Sequence, residues 1–198
     1  TATARRWVAA KFESPLQVSK LQPGLVVLAN HDPILQNTRG KGRPLTIADA
    51  TYDRGLYCHA QSTVVVRLPK PGKTFTAVVG VDSNDQTIAG RGSVIFSVRV
   101  GDQQKFRSQI MREGMAGVPV TVDLDGATEF VLQIDDGGDG ISCDQSDWAS
   151  AKVVLNNGNV VWLGDIPILD DDPAATNAPP FSFVYGGQPS AVLLKSWE

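Results

Sequence analysis

Hydrophobic and polar residues alternate with a period of two along the central part of the chain. The alternation is clearest in the segments 74–81, 94–100, 118–124 and 130–134. A period of two puts every second side chain on the same face of an extended strand, so these segments predict strands with one face on a core. The continuous apolar run 64–66 instead predicts a strand buried on both faces. Tyr57 and His59 begin the predicted strand that runs into this segment.

Turn sequences separate the predicted strands. Gly90-Arg91-Gly92 and Asp125-Gly126 are two of them, and Asn156-Asn157-Gly158-Asn159 lies between two apolar runs and predicts a hairpin. No helix-period segment of useful length precedes the C-terminal region. Short strands separated by turns predict an all-β fold, either an antiparallel β-sandwich or a barrel.

The composition changes after Asp165. A charged stretch at 170–173 is followed by Ala and Pro residues up to 180, and apolar residues then return. We therefore predict a β-sandwich module over 1–168 and a linker over 169–180. Residues 181–198 are predicted to begin a following domain or to pack on the sandwich as a tail, with Ser190 as the N-cap of a short helix.

Charge and composition exclude several classes of function. The chain has 18 Lys and Arg against 21 Asp and Glu, a formal net charge of −3, which does not suit a charge-driven nucleic-acid binder. No segment approaches the roughly 20 apolar residues of a membrane helix. The first six residues lack the apolar core of a signal peptide, so the sequence neither shows nor excludes secretion.

The sequence carries no local signature of an enzyme. It lacks the GxSxG, HExxH and P-loop motifs, and its two histidines, His31 and His59, form no recognisable catalytic pattern. The densest polar segment is the glycine-rich loop 135–148. Carboxylates and loop carbonyls are ligands for calcium, so the loop predicts a structural Ca²⁺ site formed by Asp135, Asp136, Asp139 and Asp144. The alternative is a solvated acidic loop, because the spacing departs from that of an EF-hand.

Sugar binding requires a ring against the apolar face of a pyranose and planar polar groups for its hydroxyls. Suitable side chains lie at the predicted strand ends, and we predict a carbohydrate-binding site formed by His31, Asp32, Asn37, Tyr57, His59 and Trp148. The alternative interpretation of Trp148 is that its ring packs in the core. Cys58 and Cys143 lie far apart in sequence, which leaves open either one long-range disulfide or two buried thiols.

Four segments resemble the NPCBM domain, carbohydrate-binding module family 51. Residues 52–62 resemble its Y-x-x-G-[IL]-x-x-H-A-x-S motif, and residues 79–82 its V-G-[VI]-D strand. Residues 92–98 resemble G-S-V-x-F-x-V, and residues 138–149 resemble G-D-G-I-x-x-D-H-A-D-W-A. The segments occur in the family's order.

The resemblance implies a galactose-binding-like jelly roll that is non-catalytic. It implies a module, often with a structural calcium, that targets an appended α-galactosidase-like glycoside hydrolase to galactose-type glycans. Residues 181–190 resemble the segment that joins such a module to the catalytic barrel. We expect a secreted or periplasmic monomer with no nucleic-acid or membrane partner. The alternative function is to brace the catalytic domain without binding sugar.

The sequence departs from the family pattern at two places. Gln145-Ser146 replaces the H-A pair, which removes a donor that could face the ligand. Cys58 and Cys143 both lie within motifs that the family fold brings to one end, and the resemblance therefore favours a Cys58–Cys143 disulfide.

Overall fold

The computed structural model describes residues 22–169 and two short paired strands, Val184–Tyr185 and Gln188–Pro189. The predicted linker beyond residue 169 and the predicted helix at Ser190 lie outside the described residues. The proposed domain boundaries therefore stay a prediction.

Residues 22–169 form an almost purely β structure with one turn of 3-10 helix at Leu163–Asp165. In chain order the strands are β1 (Gly24–Ala29), β2 (Leu35–Gln36), β3 (Leu45–Ile47), β4 (Ala50–Tyr52), β5 (Gly55–His59), β6 (Ser62–Arg67), β7 (Gly72–Val81), β8 (Ile95–Val100), β9 (Gln103–Arg107), β10 (Val118–Asp123), β11 (Glu129–Asp135), β12 (Gln145–Leu155), β13 (Val160–Trp162) and β14 (Ile168–Leu169). This confirms the predicted all-β fold.

Two sheets make up the sandwich. The first has the strand order β14-β1-β6-β11-β8-β9, and the second has the order β10-β7-β12-β5-β2 with β13 paired to β12. Strands β3 and β4 form a separate hairpin. Neighbouring strands run antiparallel in both sheets except β14, which lies parallel to β1. The predicted antiparallel β-sandwich is therefore confirmed.

The core lies between the two sheets and follows the alternation in the sequence. Phe75, Val79 and Phe130 are among its fully enclosed side chains. The run 64–66 is buried throughout, as predicted, because β6 lies between β1 and β11. No helix among residues 22–169 is long and apolar enough to cross a membrane.

The single strand predicted from Tyr57 into the run 64–66 is wrong. The chain leaves one sheet after His59 and enters the other at Ser62, so β5 and β6 are separate strands. This crossing places His59 at the end of the sandwich, where loops from both sheets meet.

Candidate functional site

Four connections meet at one end of the sandwich: the loops after β1, β7 and β11, and the crossing from β5 to β6. Strand pairing brings them together, because the last residue of β5, His59, pairs with the first residue of β12, Gln145. The last residue of β7, Val81, pairs with Ser146 next to it. Side chains that are distant in sequence therefore share this end.

An open cavity of about 550 Å³ lies among these loops, and we call it the loop-end cavity. Both sheets contribute to its wall. Its lining residues are His31, Asp32, His59, Asp85, Gln86, Arg91, Ile141, Ser142, Cys143 and Gln145. Three of the six predicted sugar-binding residues, His31, Asp32 and His59, are thus brought together here.

The two histidines form one wall of the loop-end cavity. Their ring centroids are 4.7 Å apart with a 44° angle between the planes. Nδ1 of His59 lies 2.8 Å from the carbonyl oxygen of Ala60, which can only accept, so Nδ1 carries the proton. In the tautomer that this contact selects, Nε2 of His59 is a hydrogen-bond acceptor.

Gln145 is a cavity residue that the sequence analysis did not select. It is 5% exposed, its Nε2 donates to Oε1 of Gln86, and its own Oε1 has no hydrogen-bond partner. Gln145 occupies the position of the histidine in the family's D-H-A-D-W motif. That position was the signal for a site residue, and the glutamine keeps a polar group there.

Charged side chains line the rest of the loop-end cavity. Asp32, Asp85 and Arg91 are all exposed, and none of them forms an ion pair with another residue of the described part of the chain. Their carboxylate and guanidinium groups are therefore free to exchange bound water for the hydroxyls of a ligand.

A second cavity of about 220 Å³ adjoins the first, and we call it the arginine cavity. Its lining residues are Arg39, Arg43, Tyr57, Asn84, Asp85 and Gln86, of which Asp85 and Gln86 also line the loop-end cavity. Tyr57, predicted to touch sugar, lies here. Burial and the carboxylates of Asp82 and Asp147 raise the pKa of Tyr57, which keeps its hydroxyl protonated.

Two fully buried carboxyl groups, those of Asp82 and Asp147, lie beside the arginine cavity. Asp82 accepts hydrogen bonds from Nη1 of Arg39 at 3.3 Å, Nδ2 of Asn84 at 2.7 Å and the amide of Thr46 at 3.0 Å. Burial, and then the charge of Asp82, raise the pKa of Asp147 well above its ordinary value. The protonated form of Asp147 is therefore favoured, whereas Asp82 accepts hydrogen bonds from three donors.

Two of the predicted sugar-binding residues are placed elsewhere. The Asn37 side chain donates to the carbonyl of Gly164 at 2.9 Å and accepts from the amide of Gly55 at 3.0 Å, so it holds loops together. The ring of Trp148 is 1% exposed and packs edge-on to Phe96 with centroids 5.1 Å apart. The structure therefore does not bring Asn37 and Trp148 to the loop-end cavity, and it gives no support to their predicted contacts with sugar.

The predicted calcium ligands do not converge. Oδ2 of Asp135 lies 3.5 Å from Nη1 of Arg107, and Oδ2 of Asp139 lies 3.5 Å from Nη2 of Arg112. Each of these carboxylates therefore has a cation of the protein as its nearest charged partner.

The other two predicted ligands are also engaged by the protein. Asp136 accepts a hydrogen bond from the amide of Gly138 at 3.0 Å, and the buried Asp144 accepts one from the amide of Ser93 at 2.7 Å. Within residues 22–169 no three His, Cys, Asp or Glu side chains gather to hold a metal ion. The described arrangement of these four carboxylates therefore does not support a shared calcium site, and calcium binding stays a prediction.

The two cysteines are free thiols, so the predicted disulfide between them is not formed. Cys58 lies in the core, where burial raises its pKa to about 12. Cys143 lines the loop-end cavity instead. The motifs do come to one end of the fold, but one thiol points inward and the other lies on a loop.

Solved structures of carbohydrate-binding modules resemble this fold. A family 51 module of a Clostridium perfringens family 95 glycoside hydrolase, in complex with methyl-galactose, is 25% identical with a TM-score of 0.57, and the match covers 64% of this chain and 91% of that one. The catalytic domain of Clostridium perfringens ZmpB with its two family 51 modules is 28% identical with a TM-score of 0.59. That match covers 70% of this chain and 15% of that one.

A curated relative is similar over a shorter segment. The putative endo-alpha-N-acetylgalactosaminidase of Renibacterium salmoninarum is 32% identical over 121 residues, which are 61% of this chain and 8% of that protein. This chain therefore spans a small part of the relative's length.

The family itself is given by a match over most of the chain. The model of the NPCBM/NEW2 domain matches residues 16–154, and the structural neighbours contain carbohydrate-binding modules of family 51, some with sugar bound. These matches support a carbohydrate-binding role. The chain belongs to the NPCBM/NEW2 domain family.

Proposed function

We propose that this chain is a non-catalytic module that binds the terminal galactose-type sugar of a glycan and so directs an appended glycoside hydrolase to it. The observation that carries the proposal is the loop-end cavity, where His31, Asp32, His59 and Gln145 converge from separate strands and loops. Polymeric glycans lie mainly outside the cell, so we place the module in a secreted or periplasmic protein.

The polar groups of the loop-end cavity suit sugar hydroxyls. Nε2 of His59 and the carboxylates of Asp32 and Asp85 accept hydrogen bonds, and the guanidinium of Arg91 donates them. Oε1 of Gln145 is a buried acceptor without a partner, and an unsatisfied acceptor of this kind is costly. A sugar hydroxyl that donates to this oxygen would satisfy it.

The choice of a galactose-type sugar rests on the relatives. The 25% identical Clostridium module was solved with methyl-galactose, and the curated relative is a putative endo-alpha-N-acetylgalactosaminidase. The rings that line the loop-end cavity are those of His31 and His59, so the exposed imidazole of His31 covers the apolar face of the sugar. We expect weak binding, on the order of micromolar to millimolar, because a shallow site immobilises few groups.

A glycan array probed with a tagged, multivalent preparation of the chain tests the proposal, because multivalency makes weak sites detectable. We expect binding to galacto-configured termini. His31→Ala and Asp32→Asn change exposed side chains of the loop-end cavity, and each should weaken binding about tenfold through loss of contacts to the ligand. The matched control is Asp102→Asn, an exposed aspartate in the turn after β8 at the other end of the sandwich.

Three results would contradict the proposal. Unchanged binding by both cavity variants would put the sugar site elsewhere on the module. A folded protein that binds no glycan would favour the alternative, in which the module braces a catalytic domain. Hydrolysis of a chromogenic galactoside by this chain alone would overturn its non-catalytic assignment.

A further inference from the structure

We propose that the arginine cavity is a subsite for an acidic substituent, either a carboxylate or a sulfate ester, on the glycan whose terminal sugar occupies the loop-end cavity. The inference deepens the proposed function and rests on it. It extends the recognised ligand from a neutral sugar to an acidic glycan.

The two cavities share a wall. Asp85 and Gln86 belong to the loop after β7 and line both of them. The arginine cavity is the smaller, about 220 Å³ against about 550 Å³, which suits a substituent or part of a neighbouring residue. A glycan seated in the loop-end cavity reaches the arginine cavity by passing this shared wall.

The arginine cavity has more hydrogen-bond donors than acceptors. The exposed guanidinium of Arg43 has no carboxylate partner among the described residues, and its Nε makes only a 3.5 Å contact with the carbonyl of Gly40. The protonated hydroxyl of Tyr57 is a further donor. Groups of this kind are satisfied by an acceptor-rich ligand, and carboxylates and sulfates are the strongest acceptors that glycans carry.

Arg39 is held in place for this role. Its Nη1 contacts Asp82 at 3.3 Å and also donates to the carbonyl of Ser83, while its Nε is buried without a partner. The side chain is only 18% exposed, so little conformational entropy remains to be lost on binding. A planar, preorganised guanidinium is well suited to a carboxylate or a sulfate.

The balance of charge makes the expected preference modest. Asp82 is fully buried and accepts from three donors, so it offsets Arg39 and leaves Arg43 as the uncompensated cation. Asp85 on the shared wall opposes an anion. An exposed ion pair of this kind gives a preference of up to about fivefold, which should decrease as salt is raised.

Matched glycans distinguish the two sources of negative charge. The array carries neutral cores ending in galactose, N-acetylgalactosamine or N-acetylglucosamine, each also bearing sialic acid or a sulfate ester. The wild-type chain should bind at least one acidic form several-fold better than its neutral core. Arg43→Gln should remove this preference while leaving the neutral core bound, because Arg43 does not line the loop-end cavity.

Two further variants make the test specific. Asp85→Asn removes the opposing charge and should raise the ratio of acidic to neutral binding, whatever its effect on total binding. Lys70→Gln is the matched control, since it removes one positive charge from an exposed turn before β7 at the opposite end of the sandwich. It should leave the ratio unchanged.

The outcomes separate this inference from the proposed function. Equal binding of acidic and neutral forms, or a preference that Arg43→Gln does not alter, would overturn the acidic subsite and leave sugar binding intact. Failure to bind any core would overturn both. A preference for only the sialylated or only the sulfated forms would support the subsite and identify its ligand.

Discussion

At the scale of single residues, the two tryptophans of the described part of the chain show how environment decides role. Trp148 is enclosed between Phe75 and Phe96, with ring centroids 6.1 Å and 5.1 Å away. Trp162 is partly exposed, and the cationic groups of Arg54 and Lys152 lie 4.9 Å and 5.0 Å from its ring. The first is a core residue, whereas the second is a surface contact.

Trp148→Ala should therefore lower the free energy of unfolding by about 3–5 kcal/mol, the usual cost of truncating a large buried aromatic residue. Trp162→Ala is the control and should cost only about 1 kcal/mol, since it removes a partly exposed ring and its cation–π contacts. Urea denaturation measures both. A stable Trp148→Ala variant that has lost sugar binding would show that this ring serves the ligand instead.

Two buried aspartates should make stability depend on pH. Burial is the main cause that raises the pKa of Asp144 to about 6 and the pKa of Asp147 well above its ordinary value of 3.8. In the unfolded chain both groups lose their protons near pH 3.8, but in the folded protein they retain them to higher pH. The free energy of unfolding should thus fall as pH rises above about 4, with the contribution of Asp144 complete once pH passes about 6.

Asp147→Asn and Asp144→Asn provide the comparison for this pH dependence. Each amide mimics the protonated carboxyl and does not titrate, so each variant should flatten the decline of stability with pH. Thermal melts across pH 4–8 measure it. A wild-type protein whose stability rises steadily over that range would contradict the assignment.

Sequence reasoning grouped three residues that the structure also places together. His31, Asp32 and His59 were predicted because polar groups follow apolar strands, and the structure does bring them together. Trp148 was misplaced, because a strand residue shows the same period of two whether its ring is core or platform. Gln145 was missed because the sequence does not show that the start of its strand faces a cavity.

At the scale of elements, the loops after β7 and β11 approach each other closely at Gly92. This residue has φ +73°, and an added Cβ would lie 2.4 Å from the carbonyl oxygen of Cys143. The close approach brings the two loops side by side at the loop-end cavity. Neither loop can shift without affecting the other.

Gly92→Ala should therefore be destabilising by roughly 2–4 kcal/mol and should weaken sugar binding, because strain and a backbone clash add together. Gly90→Ala is a matched control with φ +76° and open space around its Cβ position, and it should cost only about 1–2 kcal/mol. Unfolding curves and sugar titrations measure both. Equal costs for the two variants would show that the loops yield at Gly92.

The elements themselves were largely predictable. Strands β7, β8, β10 and β11 follow the alternation because one face of each packs on the core. The break between β5 and β6 was not predicted, because residues 59–63 contain no glycine or proline to mark a turn. The chain changes sheet here because β5 and β6 pair with different strands, and most of those strands lie far away in sequence.

At the scale of the whole molecule, the sandwich is closed at one edge by the short strand β14. Nε2 of Gln36 donates to the carbonyls of Leu163 at 3.1 Å and Ile166 at 2.7 Å, and the amide of Leu25 donates to the carbonyl of Pro167 at 2.8 Å. Residues 163–169 are therefore part of the fold.

A chain limited to residues 22–169 should unfold in one cooperative step and keep its sugar binding, because it contains both sheets and every residue that lines the two cavities. Removal of 166–169 should then cost about 1–3 kcal/mol through the lost hydrogen bonds and apolar contacts. Calorimetry of the two truncated chains checks this. Equal melting temperatures would show that β14 adds nothing to stability.

The parallel pairing of β14 with β1 has a consequence for the topology of the module. Leu25 pairs with Ile168 and Val26 with Leu169, so the first and last strands of the sandwich are neighbours at one edge of a sheet. Such an arrangement suits circular permutation. A chain that joins residue 169 to residue 22 through a short linker, and is opened between Asn157 and Gly158 in the exposed hairpin turn, should fold to the same sandwich with new termini at the end opposite the loop-end cavity.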